Sequence, residues 1–187
     1  MITLFYHPDS IQDVARASNL SQGFPLDKLM TLRLWRKLLD GEHSPIRELR
    51  LQILITDIPY YAAMHIRTHQ VALGIVDRPQ HPQDWQCVVR SQRPDGYNPV
   101  DYDRREAKQD APVSMLISCN PQSLIDVSRK RLCGKADAVT RQIWEDVATE
   151  IAKQDNVFVA TVAQYMMPDC DYRGGKCHQG GCSLKGK

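Results

Sequence analysis

The stretch CNPQSLIDVSRKRLCGKA, residues 119–136, decides how the rest of the chain is read. Asn120 offers the preferred N-cap side chain, and Pro121 the fixed φ that suits a first helical position, so a helix is predicted from Pro121 onward. PVSMLISC, just upstream, suits a strand that feeds straight into that helix. The helix then sets Arg129, Lys130 and Arg131 within one turn, beside Leu132 and Cys133. Three adjacent cations stand where an apolar face should be settling into a core.

Upstream, ITLFY (Ile2 to Tyr6) suits a short strand, and Ser10 caps a predicted short helix through Asn19. GFPLDKLMTLRLWRKLLDG reads as one helix, with Leu26, Leu29, Met30, Leu34, Leu38 and Leu39 at helical spacing and Gly41 as its end. In RELRLQILITD, Leu49, Leu51, Ile53 and Ile55 recur with the period of a half-buried strand. Asp57-Ile58-Pro59 is expected to stop that strand and to start a helix, PYYAAMHIRTHQVALG, with Pro59 as its first residue.

Residues 74–112 hold five of the eleven prolines and read as a long loop. Trp85, Tyr97 and Tyr102 speak against plain disorder there. Beyond Gly134 a long helix is predicted, with Val139, Ile143, Val147 and Ile151 forming one stripe. A last helix, NVFVATVAQYM, precedes a Gly- and Cys-rich tail, and there is no internal repeat. Several helices with few strands give an α+β class with one antiparallel sheet as its core. The expected organisation is one domain over 1–165, with a Pro-rich insert at about 75–89, and a tail over 166–187.

A chain of 187 residues with 42% hydrophobic and 25% charged residues is an ordinary soluble globular chain. A net charge of +2 gives no bulk attraction to a nucleic-acid polymer or a membrane. The N-terminal MITLFYHPDS lacks the features of a secretory signal, so a cytoplasmic protein is expected. In that setting Cys87, Cys119 and Cys133 read as packed thiols rather than a disulfide framework.

Two places hold residues for chemistry. His65 and His69, four apart, share one helix face. They read either as surface histidines or as part of a metal site that lacks a third ligand and any HExxH pattern; no metal is assigned. The second is the pairing of Arg90-Ser91-Gln92-Arg93 with Arg129-Lys130-Arg131. Guanidinium forks from a loop and a helix can converge on a phosphate, whereas a solvated basic face is the plainer alternative. With no P-loop, GxGxxG or GxSxG motif, the residues alone reach no further than an anion site, a nucleotide being one option.

From about Ser44 to Gln154 the chain resembles the flavin-dependent thymidylate synthases. Asn120 and Arg131, eleven residues apart and followed by Ala136, match one signature of that family. The run from Pro59 to Thr68-His69-Gln70 keeps the spacing of its RHRxxSxxxxxSxRY hallmark, with His69 at the central position and both flanking arginines replaced. Ser91-Gln92-Arg93 matches the hallmark's Ser-x-Arg after a longer insert, and Glu48 matches the acidic start of the preceding strand.

The resemblance implies transfer of a one-carbon unit from methylene-tetrahydrofolate to C5 of dUMP, with FAD as cofactor and NADPH as reductant. It implies that Arg131 polarises the pyrimidine, and that His65, Ser91, Gln92 and Arg93 bind the nucleotide. It further implies that Glu48, Arg67, His69, Gln70 and Asn120 meet the flavin, and that active sites form between subunits of a homotetramer. Arg129 and Lys130 are then expected to be solvated neighbours of Arg131. Variants of the expectation are another pyrimidine nucleotide, a hydroxymethyl group, or a non-catalytic nucleotide-binding relative. Trp85, within the insert, is expected at the mouth of the site or at a subunit contact. Cys170, Cys177, His178 and Cys182 supply enough donors for one zinc, but their irregular spacing favours free thiols on a mobile tail.

Overall fold

The computed structural model describes residues 1–7, 9–68, 85–91, 108–172, 174, 175, 177 and 182. Strands β1 (Ile2–Tyr6), β2 (Leu51–Pro59), β3 (Trp85–Ser91) and β4 (Pro112–Cys119) form one antiparallel sheet in the order β1-β2-β4-β3. The expected α+β class with a single antiparallel sheet holds. Alternation puts Leu51, Ile53 and Ile55 of β2 on the same buried face as Met115, Ile117 and Cys119 of β4. Their register, Leu51↔Cys119, Ile53↔Ile117 and Ile55↔Met115, stacks these side chains in pairs. Each such buried aliphatic side chain is worth about 1.5–3 kcal/mol, so a one-residue slip would forfeit the whole set.

Strand β2 does not stop at Asp57. The register shifts between Ile55 and Ile58, and pairing resumes at Ile58↔Val113 and Pro59↔Pro112. Asp57 takes φ 60 at this irregularity, a left-handed conformation that short polar side chains tolerate better than most. The β1 ladder has ended by then, at Ile2↔Ile55, so the missing Pro59 N–H costs no bond on that side. Pro59 is therefore the N-cap residue of α3 (Tyr60–Arg67), not its first helical residue.

Strand β3 lies inside the segment expected to be a loop. Trp85, Cys87 and Val89 alternate inward, so Trp85 to Val89 of the expected insert form part of the sheet, and residues 75–84 lie outside the described residues. Trp85 is 6% exposed and tilts against Trp144 at 6.0 Å between ring centroids. Its expected place at a site mouth or subunit contact is thereby corrected: it is a core residue.

Helix α1 (Ser10–Gln22) runs a turn beyond the expected end at Asn19, to Gly23 at φ 71, and Asp9 rather than Ser10 holds the N-cap position. The long helix expected over 23–41 shrinks to α2 (Leu32–Asp40). Thr31 caps it by accepting the Leu34 N–H at 3.2 Å, and Asn19 Nδ2 holds the preceding segment through the Lys28 carbonyl at 2.7 Å. Leu26 and Leu29 accordingly remain exposed. A 3-10 turn, Ser44–Glu48, precedes β2, so Glu48 is an exposed turn residue rather than the start of a strand.

The remaining helices are α4 (Pro121–Arg131), α5 (Ala138–Ala152), α6 (Val157–Val162), continued by a 3-10 turn Ala163–Tyr165, and α7 (Asp169–Tyr172). The buried stripe of α5 is Thr140, Trp144, Val147 and Ile151, while Val139 is exposed, so the expected stripe is rotated around the helix. Trp144 Nε1 donates to Ser128 Oγ at 2.8 Å, and that hydroxyl donates to the Leu124 carbonyl at 2.6 Å. This buried chain ties α5 to α4. No helix among the described residues is long and apolar enough to cross a membrane.

Candidate active site

Helix α4 organises the polar chemistry of the fold. At its start, Asn120 is fully buried and its Oδ1 accepts the Ser123 N–H at 2.9 Å and the Ser123 hydroxyl at 3.1 Å. Those bonds fix which amide atom is the oxygen, and they confirm the cap expected from the sequence. The other amide atom, Nδ2, is buried with no acceptor among the described residues. Cys119, just before it, lines an open groove of about 530 Å³ with Phe5, Tyr6, His7, Arg50, Gln52 and Ser118. Burial pushes the Cys119 thiol well above its usual range, so it is a packed group and not a nucleophile.

At the other end, Arg131 reaches across to α3 and donates through Nη2 to the His65 backbone carbonyl. That carbonyl belongs to the last turn of α3, where the helix dipole favours a cation. Arg131 Nε is buried without an acceptor among the described residues. Burial lowers the Arg131 pKa from its ordinary value by penalising the charged form, yet a guanidinium stays protonated in any case. The His65 ring is exposed, meets the Tyr61 ring edge-on at 5.8 Å, and has Nδ1 3.2 Å from Thr140 Oγ1. Thr140 in turn donates N–H and Oγ1–H to Asp137 Oδ1, both at 2.9 Å.

The middle of α4 carries a second network. Arg129 pairs with Glu42 and, at 3.0 Å, with Asp126, and its guanidinium lies 3.8 Å from the centre of the Tyr172 ring. The Arg129 side chain is only 16% exposed, so the expectation of a solvated neighbour is wrong for it. Lys130 is exposed, as expected. Glu42 also accepts from Gln122 Nε2 at 2.7 Å and from the Tyr172 hydroxyl. Burial alone would raise the Glu42 pKa, but those hydrogen bonds and the Arg129 charge outweigh it and hold the carboxyl below its usual value. Glu42 achieves this from a left-handed backbone at φ 48, a costly conformation that its three contacts sustain. Tyr172 brings α7 onto α4, so the tail is anchored at this point.

Of the residues singled out in the sequence, the fold brings Arg131 and His65 together and sets Asn120 at the opposite end of α4. Arg67 is exposed in the last turn of α3, near enough to Cys87 for its charge to act on that thiol. Burial nonetheless pushes the Cys87 pKa up to about 12. Ser91 ends β3 opposite Val113, at the far end of β4 from Asn120. Glu48 points to neither end of α4 by any contact among the described residues. His69, Gln70, Gln92, Arg93 and His178 lie outside the described residues. No cluster of three metal-ligating side chains occurs among those that are described.

Sequence reasoning missed Glu42, Asp137 and Thr140. Asp137 was findable, because Asp three residues before Thr at a helix start is a capping pattern. Glu42 was not, since its partner Arg129 is 87 residues away.

No family model and no curated protein matches the sequence. Among solved structures, the chain is similar to a flavin-dependent thymidylate synthase, ThyX, of Helicobacter pylori complexed with FAD and dUMP. That likeness has 12% identity and a TM-score of 0.56, over 90% of this chain and 98% of the other. A second structure of the Helicobacter pylori enzyme with FAD and dUMP gives 11% identity and a TM-score of 0.57, over 88% and 99%. A UMP/dUMP methylase, PolB, of Streptomyces cacaoi bound with 5-Br dUMP gives 13% and 0.57, over 89% and 96%. The shared property is the fold, along nearly the whole length of each chain.

Proposed function

We propose that this chain is a divergent flavin-dependent thymidylate synthase, transferring a one-carbon unit from methylene-tetrahydrofolate to C5 of dUMP with NADPH as reductant. The observation that carries this is the placing of two buried donors without an acceptor among the described residues, Asn120 Nδ2 and Arg131 Nε, at the two ends of the helix that the resemblance singles out; Arg47 Nε, Trp85 Nε1 and Arg129 Nε share that state. A buried donor without an acceptor is costly, by about 1–3 kcal/mol, unless a ligand completes it.

Arg131 is the residue for catalysis. Its guanidinium donates to a pyrimidine carbonyl oxygen and stabilises negative charge that develops on the ring, in a half-buried setting that strengthens the interaction. His65, Ser91, Gln92 and Arg93 bind the nucleotide, the last of them as a fork for phosphate. Asn120 Nδ2 would donate to an acceptor of the flavin, and Arg67, Glu48, His69 and Gln70 are the other residues that the resemblance would give to the cofactor. FAD, when bound, supplies the redox chemistry that the side chains lack. The chain itself needs no cysteine nucleophile, in keeping with the packed Cys119.

Eleven residues of helix span about 16 Å, too far for a flavin ring at Asn120 to lie on a pyrimidine at Arg131 of the same chain. A second copy would bring the complementary end, which favours a homotetramer with shared sites. The replacement of both hallmark arginines by Thr68 and Gln70 supports a second reading, in which the chain binds a pyrimidine nucleotide without turnover.

The test is direct. The purified protein, given FAD, NADPH, methylene-tetrahydrofolate and dUMP, should form dTMP detectable by mass spectrometry. It should retain flavin absorbance after desalting and scatter light as a tetramer. Nucleotide binding with no flavin and no product would select the second reading.

A further inference from the structure

Arg131 is not the only polar group at its corner whose hydrogen-bonding state is set by the fold. Thr140 is fully buried, so its hydroxyl has no water to turn to. A hydroxyl carries one hydrogen, and Asp137 Oδ1 receives it at 2.9 Å. Asp137 can only accept, because hydrogen bonds from Thr140 hold its carboxyl below the usual value and keep it ionised. Thr140 Oγ1 is also 3.2 Å from His65 Nδ1. With its hydrogen committed to Asp137, the oxygen accepts there, so Nδ1 carries the proton. In the neutral imidazole Nε2 is then left with a lone pair. The edge-on Tyr61 ring, 72° from the imidazole plane, restrains rotation of that ring.

We propose that the chain Asp137–Thr140–His65 makes His65 Nε2 a fixed hydrogen-bond acceptor on the residue whose backbone carbonyl holds Arg131, and that this acceptor and the Arg131 donor together select uracil over cytosine. Uracil presents N3–H next to a carbonyl oxygen; Nε2 takes the N–H and the guanidinium donates to the oxygen. Cytosine presents a bare N3 next to an amino group, which sets lone pair against lone pair and donor against donor. Asp137 and Thr140 are positioning residues that touch no ligand. The inference rests on the nucleotide site proposed above and adds which base it accepts and why. An unpaired polar group in such a site rejects the wrong partner more strongly than lost packing does.

The experiment has two arms on the full chain. In the ligand-free protein, nitrogen-15 NMR of the imidazoles should show His65 with its proton on Nδ1; a proton on Nε2 overturns the proposal whatever the protein binds. In the second arm, dUMP and dCMP are titrated calorimetrically into the wild type, Thr140→Val and Thr140→Ser. Thr140→Val keeps the backbone N–H on Asp137 and removes only the hydroxyl link, while Thr140→Ser keeps the hydroxyl. The preference for dUMP should fall by roughly tenfold in Thr140→Val, about the loss of one hydrogen bond, and return in Thr140→Ser. An unchanged preference in Thr140→Val overturns the proposal and leaves the nucleotide site standing. A wild type that binds neither nucleotide overturns the proposed function itself, even with the His65 tautomer as expected.

Discussion

Arg129 and Arg131 lie two residues apart on one helix, and the fold gives them opposite tasks. Two residues turn a helix by about 200°, so the pair cannot share a face. Arg129 is met by Glu42, Asp126 and the Tyr172 ring, and is enclosed by them. Arg131 is met by one backbone carbonyl and by no carboxylate among the described residues. The Nε of each arginine is buried without an acceptor among those residues, so ion pairing is what separates them: a cation neutralised within the fold holds structure together, and one that is not is available to a ligand. The basic cluster that looks anomalous in the sequence is therefore two unrelated devices, with exposed Lys130 between them.

The largest expected effect is at the ion-paired member. Arg129→Ala strips the partner from Glu42, a carboxylate only 11% exposed. Removing one member of such a pair costs about 3–5 kcal/mol. Urea unfolding should show that loss, and Lys130→Ala, measured beside it, should stay within about 0.5 kcal/mol of wild type. If the two substitutions cost the same, the contrast between the faces is wrong.

Next comes the member that no carboxylate meets among the described residues. Arg131→Lys keeps the charge but not the planar fork. Under the proposed function, turnover of dUMP should fall roughly a hundred- to a thousandfold, equivalent to about 2.7–4 kcal/mol of transition-state stabilisation. Its unfolding midpoint should hardly move. A variant that loses stability and keeps its rate would exchange the roles assigned to the two arginines.

How much of this was legible beforehand follows the range of each interaction. The Asn120 cap and the β2 and β4 alternation are local, set by neighbours in the chain, and were readable. Strand β3 was hidden by its proline-rich flanks, although Trp85, Cys87 and Val89 alternate visibly once the sheet is known. The expected helix over 23–41 failed because apolar spacing outvoted the Thr31 cap that begins α2. The partners of the two arginines were beyond reach: Glu42 and His65 lie 87 and 66 residues from them. A basic cluster in sequence says that charge is present, but tertiary contacts decide which charge is left over.

A smaller effect follows from pH. The Glu42 carboxyl is held below its ordinary value, so its contribution to stability is fully present above that value. It is lost as pH falls through the lower, folded value. The stability gap between wild type and Glu42→Gln should therefore be widest near neutrality and shrink in acid. A gap that is flat between neutral pH and the onset of acid unfolding would mean that the carboxylate is not gripped by Arg129 and Tyr172.

The smallest structural effect belongs to the other end of α4, where one residue does two jobs that can be separated. Asn120 Oδ1 caps the helix, while Nδ2 is the donor without an acceptor among the described residues. Serine caps about as well as asparagine, but its one O–H is carried by the capping oxygen itself and does not reach the position that Nδ2 holds. Asn120→Ser should therefore cost no more than about 1 kcal/mol of stability, mostly from the small space it leaves. If Nδ2 serves the flavin, the same change should weaken FAD binding about tenfold, the worth of one hydrogen bond. Its effect on dUMP affinity should be negligible, because Arg131 sits at the far end of the helix. Fluorescence titration of FAD and calorimetric titration of dUMP on the same preparation give both numbers. A variant that loses dUMP and retains FAD would reverse the assignment of the two helix ends.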